Sequence, residues 1–143
     1  CAPGIVDAEE TVTKEIIKEA SHIAFSMNGL KVFTKIKNKF EALKSVKNIS
    51  SAWACVTDGE KGVYYLKDDK LEHIPTKIIT VKDTLGAGDV WHGAFALSLA
   101  EGNDEVNAIK FANSAATLKC KFFGGRDGFP NRQQVDQFLM EYK

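Results

Sequence analysis

Residues 81–95 read Val-Lys-Asp-Thr-Leu-Gly-Ala-Gly-Asp-Val-Trp-His-Gly-Ala-Phe. This stretch predicts a strand that runs into a small glycine-bearing turn and then into a helix. Gly86 and Gly88 allow backbone N–H groups to approach a ligand closely, and the N-terminus of the helix adds a partial positive charge. The turn is therefore predicted to bind an anion, and a phosphate group suits it.

Asp89 stands in the first turn of the predicted helix, where the helix dipole stabilises its carboxylate. From there it is suited to accept a proton from an attacking hydroxyl group. The alternative is purely structural: Gly86 and Gly88 form a tight turn and Asp89 caps the helix. Neither Gly-x4-Gly-Lys-Ser/Thr nor Gly-x-Gly-x-x-Gly occurs, which excludes a P-loop and a dinucleotide-binding fingerprint as explanations.

Helices and strands alternate along the whole chain. Hydrophobic spacing predicts helices over residues 11–20, 28–46, 88–100, about 103–119 and after 130, and strands over 22–25, 52–57, 62–66, 71–74 and 77–81. Lys67-Asp68-Asp69-Lys70 separates two of the short strands, which is typical of a hairpin. Without repeats or low-complexity linkers, this order predicts one layered α/β domain over residues 1–143 with a mainly parallel sheet.

Composition narrows the class of protein. The 143 residues carry 19 basic and 19 acidic side chains, so no net charge favours nucleic acid or an anionic membrane. No apolar stretch approaches the roughly 20 residues that span a bilayer, and we expect a cytoplasmic protein. Cys1, Cys55 and Cys120 fit neither a disulfide framework nor a metal site, and His73 and His92 lack ligand spacing.

The stretch from Asp83 to Asp89, followed by a helix of small and aromatic residues, resembles the C-terminal signature of the PfkB, or ribokinase-like, carbohydrate kinases. The resemblance implies a ribokinase-like layered α/β/α fold, present here as its C-terminal portion. It also implies that the amides of Gly86, Ala87 and Gly88 form an anion hole. In that family the aspartate at the position of Asp89 activates the hydroxyl of the sugar.

Two further stretches are similar to family motifs, in the expected order. Residues 57–62 resemble the nucleotide-binding Thr-x-Gly-x-x-Gly turn, which implies that Thr57, Gly59 and Gly62 approach ATP. Residues 111–116 resemble the helix that borders the adenine, which places Asn113 on the ligand side. An ordinary strand-to-hairpin turn and a solvated polar side chain are the structural alternatives for each motif taken singly.

The resemblance also bears on two kinds of metal ion, a monovalent cation and magnesium. The loop over residues 121–130, together with the turn at Asp83 and Leu85, resembles one that encloses a monovalent cation such as K⁺, and Gly124 lies in it. A glycine-rich loop that leads into a helix is the alternative. Magnesium is expected to bridge the phosphates of ATP, yet Ser26 and Gly29 stand where the family often has the Asn and Glu of an Asn-x-x-Glu element.

The resemblance is strong over about residues 50–141 and loose before them. The first residues, from Cys1 to Val6, are expected to enter a fold midway, as in a fragment of a longer kinase. The resemblance implies that the longer enzyme forms a homodimer in some family members. The implied activity of the longer protein is ATP-dependent phosphorylation of a sugar hydroxyl. Alternatives are a vitamin or nucleoside kinase on the same scaffold, or a catalytically silent nucleotide-binding fragment.

Overall fold

The computed structural model describes residues 10–141, so the segment from Cys1 to Val6 lies outside the described residues. The chain divides between His73 and Ile74 into two compact units. The first unit contains α1 (Glu10–Glu19), β1 (His22–Ser26), α2 (Met27–Thr34), α3 (Lys39–Ile49), β2 (Trp53–Thr57), β3 (Val63–Lys67) and β4 (Lys70–Ile74). Ile74, the last residue of β4, is also the first residue of the second unit. The second unit contains α4 (Ala87–Ala100), α5 (Glu105–Lys119) and α6 (Arg132–Met140).

The sheet has four strands in the order β1-β2-β3-β4. Strands β1 and β2 are parallel, with His22 opposite Trp53, whereas β2 and β3 are antiparallel. The predicted hairpin is confirmed: Asp68 and Asp69 both have positive φ angles, 49° and 57°, as a two-residue turn between antiparallel strands requires. The described sheet is thus mixed, and the expectation of a mainly parallel sheet holds only for the β1–β2 pair.

The predicted strand over residues 77–81 does not form, since this segment is irregular in the described structure. Its side chains explain why periodicity misled the prediction. Ile78 is 93% exposed and Val81 is 52% exposed, so the apolar alternation does not mark a buried face here. The segment precedes the turn before α4 and has no ladder partners in the described structure.

The predicted helix over residues 28–46 is two helices. Lys35 adopts a left-handed conformation, with φ of 59°, and ends α2, while the Asn38 side chain accepts a hydrogen bond from the amide of Glu41 and starts α3. An Asn at an N-cap satisfies one of the free amides of the new helix. Because the apolar residues keep helical spacing through the break, the hydrophobic pattern alone did not reveal it.

The core of the first unit lies between the sheet and its helices. Phe25 and Val56 from the parallel strands pack with Leu30, Leu43 and Val46 from α2 and α3, and all five are at most 2% exposed. The two strands contribute these side chains from the same rung of the ladder, since Phe25 lies opposite Val56 in the register. This packing fixes the carboxyl ends of β1 and β2, from which the next loops depart.

The second unit is built on helix packing. In α4 the rings of Trp91 and Phe95 stack at 5.0 Å, and both are buried. Helix α5 offers small side chains such as Ala108 and Ala112 to its neighbours, so it is buried along much of its length. The predicted helix over 88–100 is confirmed, although only one of its faces is buried; Leu97, on another face, is 49% exposed.

Caps determine where the remaining helices begin. Asp104, rather than the predicted Asn103, caps α5 by accepting from the amide of Asn107. Asn131 and Gln134 form a reciprocal capping box at the start of α6. No helix within residues 10–141 is long and apolar enough to cross a membrane.

Candidate functional site

The turn before α4 is shaped by Gly86. Its φ angle is 76°, a left-handed value that glycine adopts without strain, and no side chain caps the helix that follows. The first helical hydrogen bond runs from the amide of Val90 to the carbonyl of Gly86. The amides of Gly88 and Asp89 precede this bond, so they have no acceptor within the helix.

Of the three amides predicted to form the anion hole, that of Ala87 already donates to the Thr84 carbonyl at 3.0 Å. This bond closes the tight turn and leaves the following amides at the helix end. The dipole of the 14-residue helix α4 places partial positive charge at the same point. The turn is therefore a structural element, as the alternative interpretation held, and it also presents amides without helical acceptors at the positive end of a helix dipole.

Asp89 lies in the first turn of α4 and is exposed. Its carboxylate makes no hydrogen bond or ion pair with any other side chain in the described part of the chain. By contrast, His92 one turn later is bonded through Nδ1 to the carbonyl of Gly88 at 2.8 Å. A carboxylate without a partner beside unbonded amides can accept a proton from a hydroxyl that approaches this helix end.

Asp83 organises the other side of the turn. One carboxylate oxygen accepts from the amide of Leu85 at 2.9 Å, and the other accepts from the amide of Gly124 at 2.9 Å. These amide bonds, of which that from Leu85 has the larger effect, hold the pKa of Asp83 below its usual range despite some desolvation, with the nearby Lys119 ammonium acting in the same direction. The three residues predicted to surround a cation thus meet at one carboxylate.

Lys119 was missed by the sequence reasoning. It lies at the end of α5 with its side chain fully buried, and its Nζ donates to the Asp83 carbonyl at 3.2 Å. A signal was present, because Lys119 continues the buried α5 face of Ala112 and Ala115 at helical spacing. A buried lysine needs an acceptor within reach of its ammonium, and the half-buried Asp83 is that acceptor.

Asn113 is held by other parts of the second unit. It is 4% exposed; its Oδ1 accepts from Trp91 Nε1 at 2.8 Å, and its Nδ2 donates to the Pro75 carbonyl at 3.4 Å. It also lines a surface pocket of about 470 Å³, together with Lys110 and Leu139. One N–H of the amide remains for a ligand, while the carbonyl oxygen is already engaged.

The predicted nucleotide turn belongs to the first unit. The Thr57 hydroxyl donates to the Phe25 carbonyl at 3.3 Å, which ties the ends of β1 and β2 together. Gly59 and Gly62 have φ angles of 54° and 91°, and the amide of Gly62 donates to the carbonyl of Gly59 at 3.1 Å. These positive φ angles favour glycine at both positions. Neither glycine carries a side chain that could keep a ligand away from the backbone.

Ser26 and Gly29, at the positions of the Asn-x-x-Glu element, form a helix cap. Ser26 Oγ accepts from the amide of Gly29 at 3.0 Å, and a Cβ on Gly29 would lie 3.1 Å from that oxygen. Gly29 offers no ligand atom from a side chain, and Ser26 is already used, so these residues do not fit magnesium. Within residues 10–141, no cluster of three or more His, Cys, Asp or Glu side chains could hold a metal ion.

Comparisons with known proteins agree with the expected fold. The model of the pfkB family carbohydrate kinases matches residues 2–132. Ribokinase from Bacillus subtilis is 43% identical over 84 residues, which cover 59% of this chain and 29% of that enzyme. Fructokinase from Vibrio alginolyticus is 25% identical over 136 residues, which cover 91% of this chain and 44% of that enzyme.

Solved structures give the same result. The crystal structure of ribokinase from Thermotoga maritima matches with a TM-score of 0.80 and 27% identity, over 89% of this chain and 44% of that one. The ribokinase-like fold is confirmed as a partial one, because the chain spans less than half the length of these relatives. Since the family model matches most of its residues, this chain belongs to the pfkB family of carbohydrate kinases.

Proposed function

We propose that the protein carrying this chain transfers the γ-phosphoryl group of ATP to a hydroxyl of a sugar. The observation that carries the proposal is the unpartnered, exposed carboxylate of Asp89 beside the uncapped N-terminus of α4. A base and an oxyanion site in one helical turn are two of the elements that phosphoryl transfer to an alcohol uses. Similarity to a ribokinase and a fructokinase supports a sugar as the alcohol.

In this mechanism Asp89 accepts the proton of the attacking hydroxyl as the oxygen approaches phosphorus. The amides of Gly86, Gly88 and Asp89, with the dipole of α4, stabilise the negative charge that develops on the phosphoryl oxygens. Ala87 contributes by closing the turn, because its amide is bonded to Thr84. Magnesium supplied with ATP would neutralise phosphate charge, and we assign no protein ligand for it to Ser26 or Gly29.

Each unit has residues of its own that suit contact with a nucleotide. The open backbone at Gly59 and Gly62, beside Thr57, suits close approach by ATP, because no Cβ stands in the way. In the second unit, the pocket beside Asn113 offers apolar contacts from Leu139 and one amide N–H. An adenine ring buries apolar faces and presents acceptor nitrogens, so this pairing of contacts suits it.

The test uses protein expressed from the full reading frame, incubated with ATP and magnesium and one acceptor at a time. Ribose, fructose, a nucleoside and a vitamin alcohol serve as acceptors; ADP is measured by a coupled assay and the product by mass. We expect a sugar to stimulate ADP formation and to gain one phosphoryl group. Faster turnover of the nucleoside or the vitamin alcohol would replace the sugar assignment while retaining a kinase.

A second measurement separates a kinase from a silent fragment. Calorimetry with a non-hydrolysable ATP analogue reports nucleotide binding without any acceptor. Binding together with acceptor-stimulated ADP release supports the proposal. Absence of both would overturn it and favour a purely structural or interaction role for the domain.

A further inference from the structure

Lys119 is the one charged side chain that is fully buried among the residues whose burial the structure describes. Burying an ammonium group is costly unless its charge and its hydrogen-bond donors are compensated. Both identified partners belong to Asp83: the carbonyl oxygen at 3.2 Å and carboxylate Oδ2 at 3.5 Å. The C-terminal end of α5 therefore delivers a fixed positive charge to the turn that precedes α4.

The same carboxylate is where the family resemblance places a monovalent cation. Its oxygens already accept from the amides of Leu85 and Gly124, and Lys119 supplies the positive charge. The neighbouring carbonyl of Cys120 accepts from the amides of Lys82 and Asp83 at 2.8 and 3.3 Å. The carboxylate oxygens of Asp83 and the carbonyl oxygen of Cys120 thus already accept hydrogen bonds from donors of the chain itself.

Electrostatics adds to this steric argument. A metal ion bound to the Asp83 oxygens would lie only a few ångströms from the Lys119 ammonium, since those oxygens are 3.2 and 3.5 Å from Nζ. Two like charges at such a distance, inside a partly desolvated site, repel strongly. The residues present therefore do not fit K⁺ while Lys119 holds its position.

We propose that the Lys119 ammonium is a built-in substitute for the monovalent cation, so that this protein neither binds nor requires K⁺ at Asp83. The ammonium neutralises the Asp83 carboxylate, which in turn holds the amide of Gly124 and the turn at Leu85. The loop after α5 and the turn before α4 are thereby joined by a covalently attached charge rather than by an exchangeable ion. Lys119 acts here as a positioning residue, because it touches the turn and not the reacting atoms.

The first test is made on the unmodified protein from the full reading frame. Its thermal unfolding midpoint is compared in KCl and in choline chloride of equal ionic strength, and crystals soaked in thallium(I) or rubidium are examined for anomalous scattering at Asp83. We expect equal midpoints and no anomalous peak beside the carboxylate. A K⁺-specific rise in the midpoint, or a peak bound to the Asp83 oxygens, overturns the proposal.

A pair of variants gives the converse test. Lys119→Ala removes both the charge and the bulk of the side chain, which leaves room for an ion, whereas Lys119→Met removes the charge and retains most of the volume. We expect K⁺, but not choline, to raise the midpoint of Lys119→Ala by about 2–4 °C and that of Lys119→Met by less. A folded Lys119→Ala variant that is indifferent to K⁺ also overturns the proposal, and if neither variant folds, the unmodified protein decides.

A kinetic arm rests on the proposed function. Sugar phosphorylation by the unmodified protein is expected to proceed equally in KCl and choline chloride, while Lys119→Ala becomes K⁺-dependent by at least about fivefold in kcat/KM. The thermal and diffraction arms need no activity. Failure of the kinase assignment would thus leave the inference on Lys119 testable, and K⁺ dependence of the unmodified enzyme would refute the inference alone.

Discussion

Trp91 Nε1 donates a hydrogen bond to Asn113 Oδ1 at 2.8 Å, and both side chains are at most 5% exposed. This bond joins α4, which carries Asp89, to α5, and it orients the Asn113 amide. The amide nitrogen points toward the Pro75 carbonyl at 3.4 Å. The pocket beside Asn113 is therefore bordered by a side chain that is locked before any ligand arrives.

Trp91→Phe tests what this bond contributes. The change retains an aromatic ring for stacking on Phe95 but removes the N–H, which leaves Asn113 Oδ1 buried without its donor. We expect the free energy of unfolding to fall by about 1–3 kcal/mol, measured by urea denaturation. The double variant Trp91→Phe with Asn113→Leu is the control, because it removes both polar partners. Its loss in free energy of unfolding is expected to be smaller than the sum of the losses of the two single variants. Strict additivity would contradict an energetic role for the bond.

Asp89→Asn tests the assigned base. The amide keeps the shape of the side chain but cannot accept the proton, so kcat is expected to fall by about 10²–10⁴-fold in the full-length enzyme while nucleotide affinity is retained. Asp104→Asn is the matched control, because Asp104 also begins a helix but uses its carboxylate to cap α5. Near-normal turnover by Asp89→Asn would contradict the mechanism.

The sequence predicted those features whose cause is local. The two-residue turn at Asp68 and Asp69 lies between two short strands, and the glycines around Asp89 stand between a β-branched stretch and a helical one. Each carries its own conformational signal, so both were placed correctly. The break between α2 and α3 was missed because it depends on the left-handed conformation of Lys35, for which a lysine gives no sign.

Tertiary contacts explain the remaining differences. Residues 77–81 have the β-propensity of a strand but no ladder partner in the described structure, and strand formation requires one. Lys119 shows the opposite case, since a charged residue is buried because Asp83, 36 positions earlier, receives it. The family resemblance grouped Asp83, Leu85 and Gly124, but it did not indicate the Lys119 ammonium that neutralises the Asp83 carboxylate.

Gly86→Ala tests the backbone of the turn. The φ angle of 76° is unfavourable for a residue with a Cβ, although the added atom would meet only the Phe129 ring at an ordinary 3.7 Å. We expect a loss of about 1–2 kcal/mol in the free energy of unfolding, from strain and not from a clash. Gly88→Ala is the control, because Gly88 is not at positive φ and has open space at its Cβ position. Equal losses in both variants would show that φ at Gly86 is not the cause.

Ser26→Ala tests the cap that replaces the Asn-x-x-Glu element. Removal of Oγ leaves the amide of Gly29 without its acceptor, and we expect a loss of about 1 kcal/mol in the free energy of unfolding. Ser26→Asp can accept the same bond and adds a negative charge at the start of α2, so it is expected to retain stability. If Ser26→Ala is as stable as the unmodified protein, the contact does not stabilise the helix.

Cys55 provides a test of burial in the sheet. Burial raises the pKa of the Cys55 thiol, which is fully enclosed, and raises that of the half-buried Cys120 as well, an effect that the nearby Lys119 ammonium partly opposes. Since the thiolate is the reactive species, we expect alkylation of the native protein near neutral pH to be slower at Cys55 than at Cys120, as measured by peptide mass mapping over time.

The same thiol predicts a direction for stability at alkaline pH. A thiol in the unfolded chain ionises above about pH 8.5, while the folded Cys55 thiol stays protonated, so its contribution to stability is complete below that pH and declines above it. Cys55→Ala removes this contribution and should flatten the alkaline limb of a plot of unfolding midpoint against pH. If the alkaline limb is as steep in Cys55→Ala as in the unmodified protein, the decline comes from other groups. In the alkylation experiment, rapid modification of Cys55 in the native protein would show that β2 opens without global unfolding.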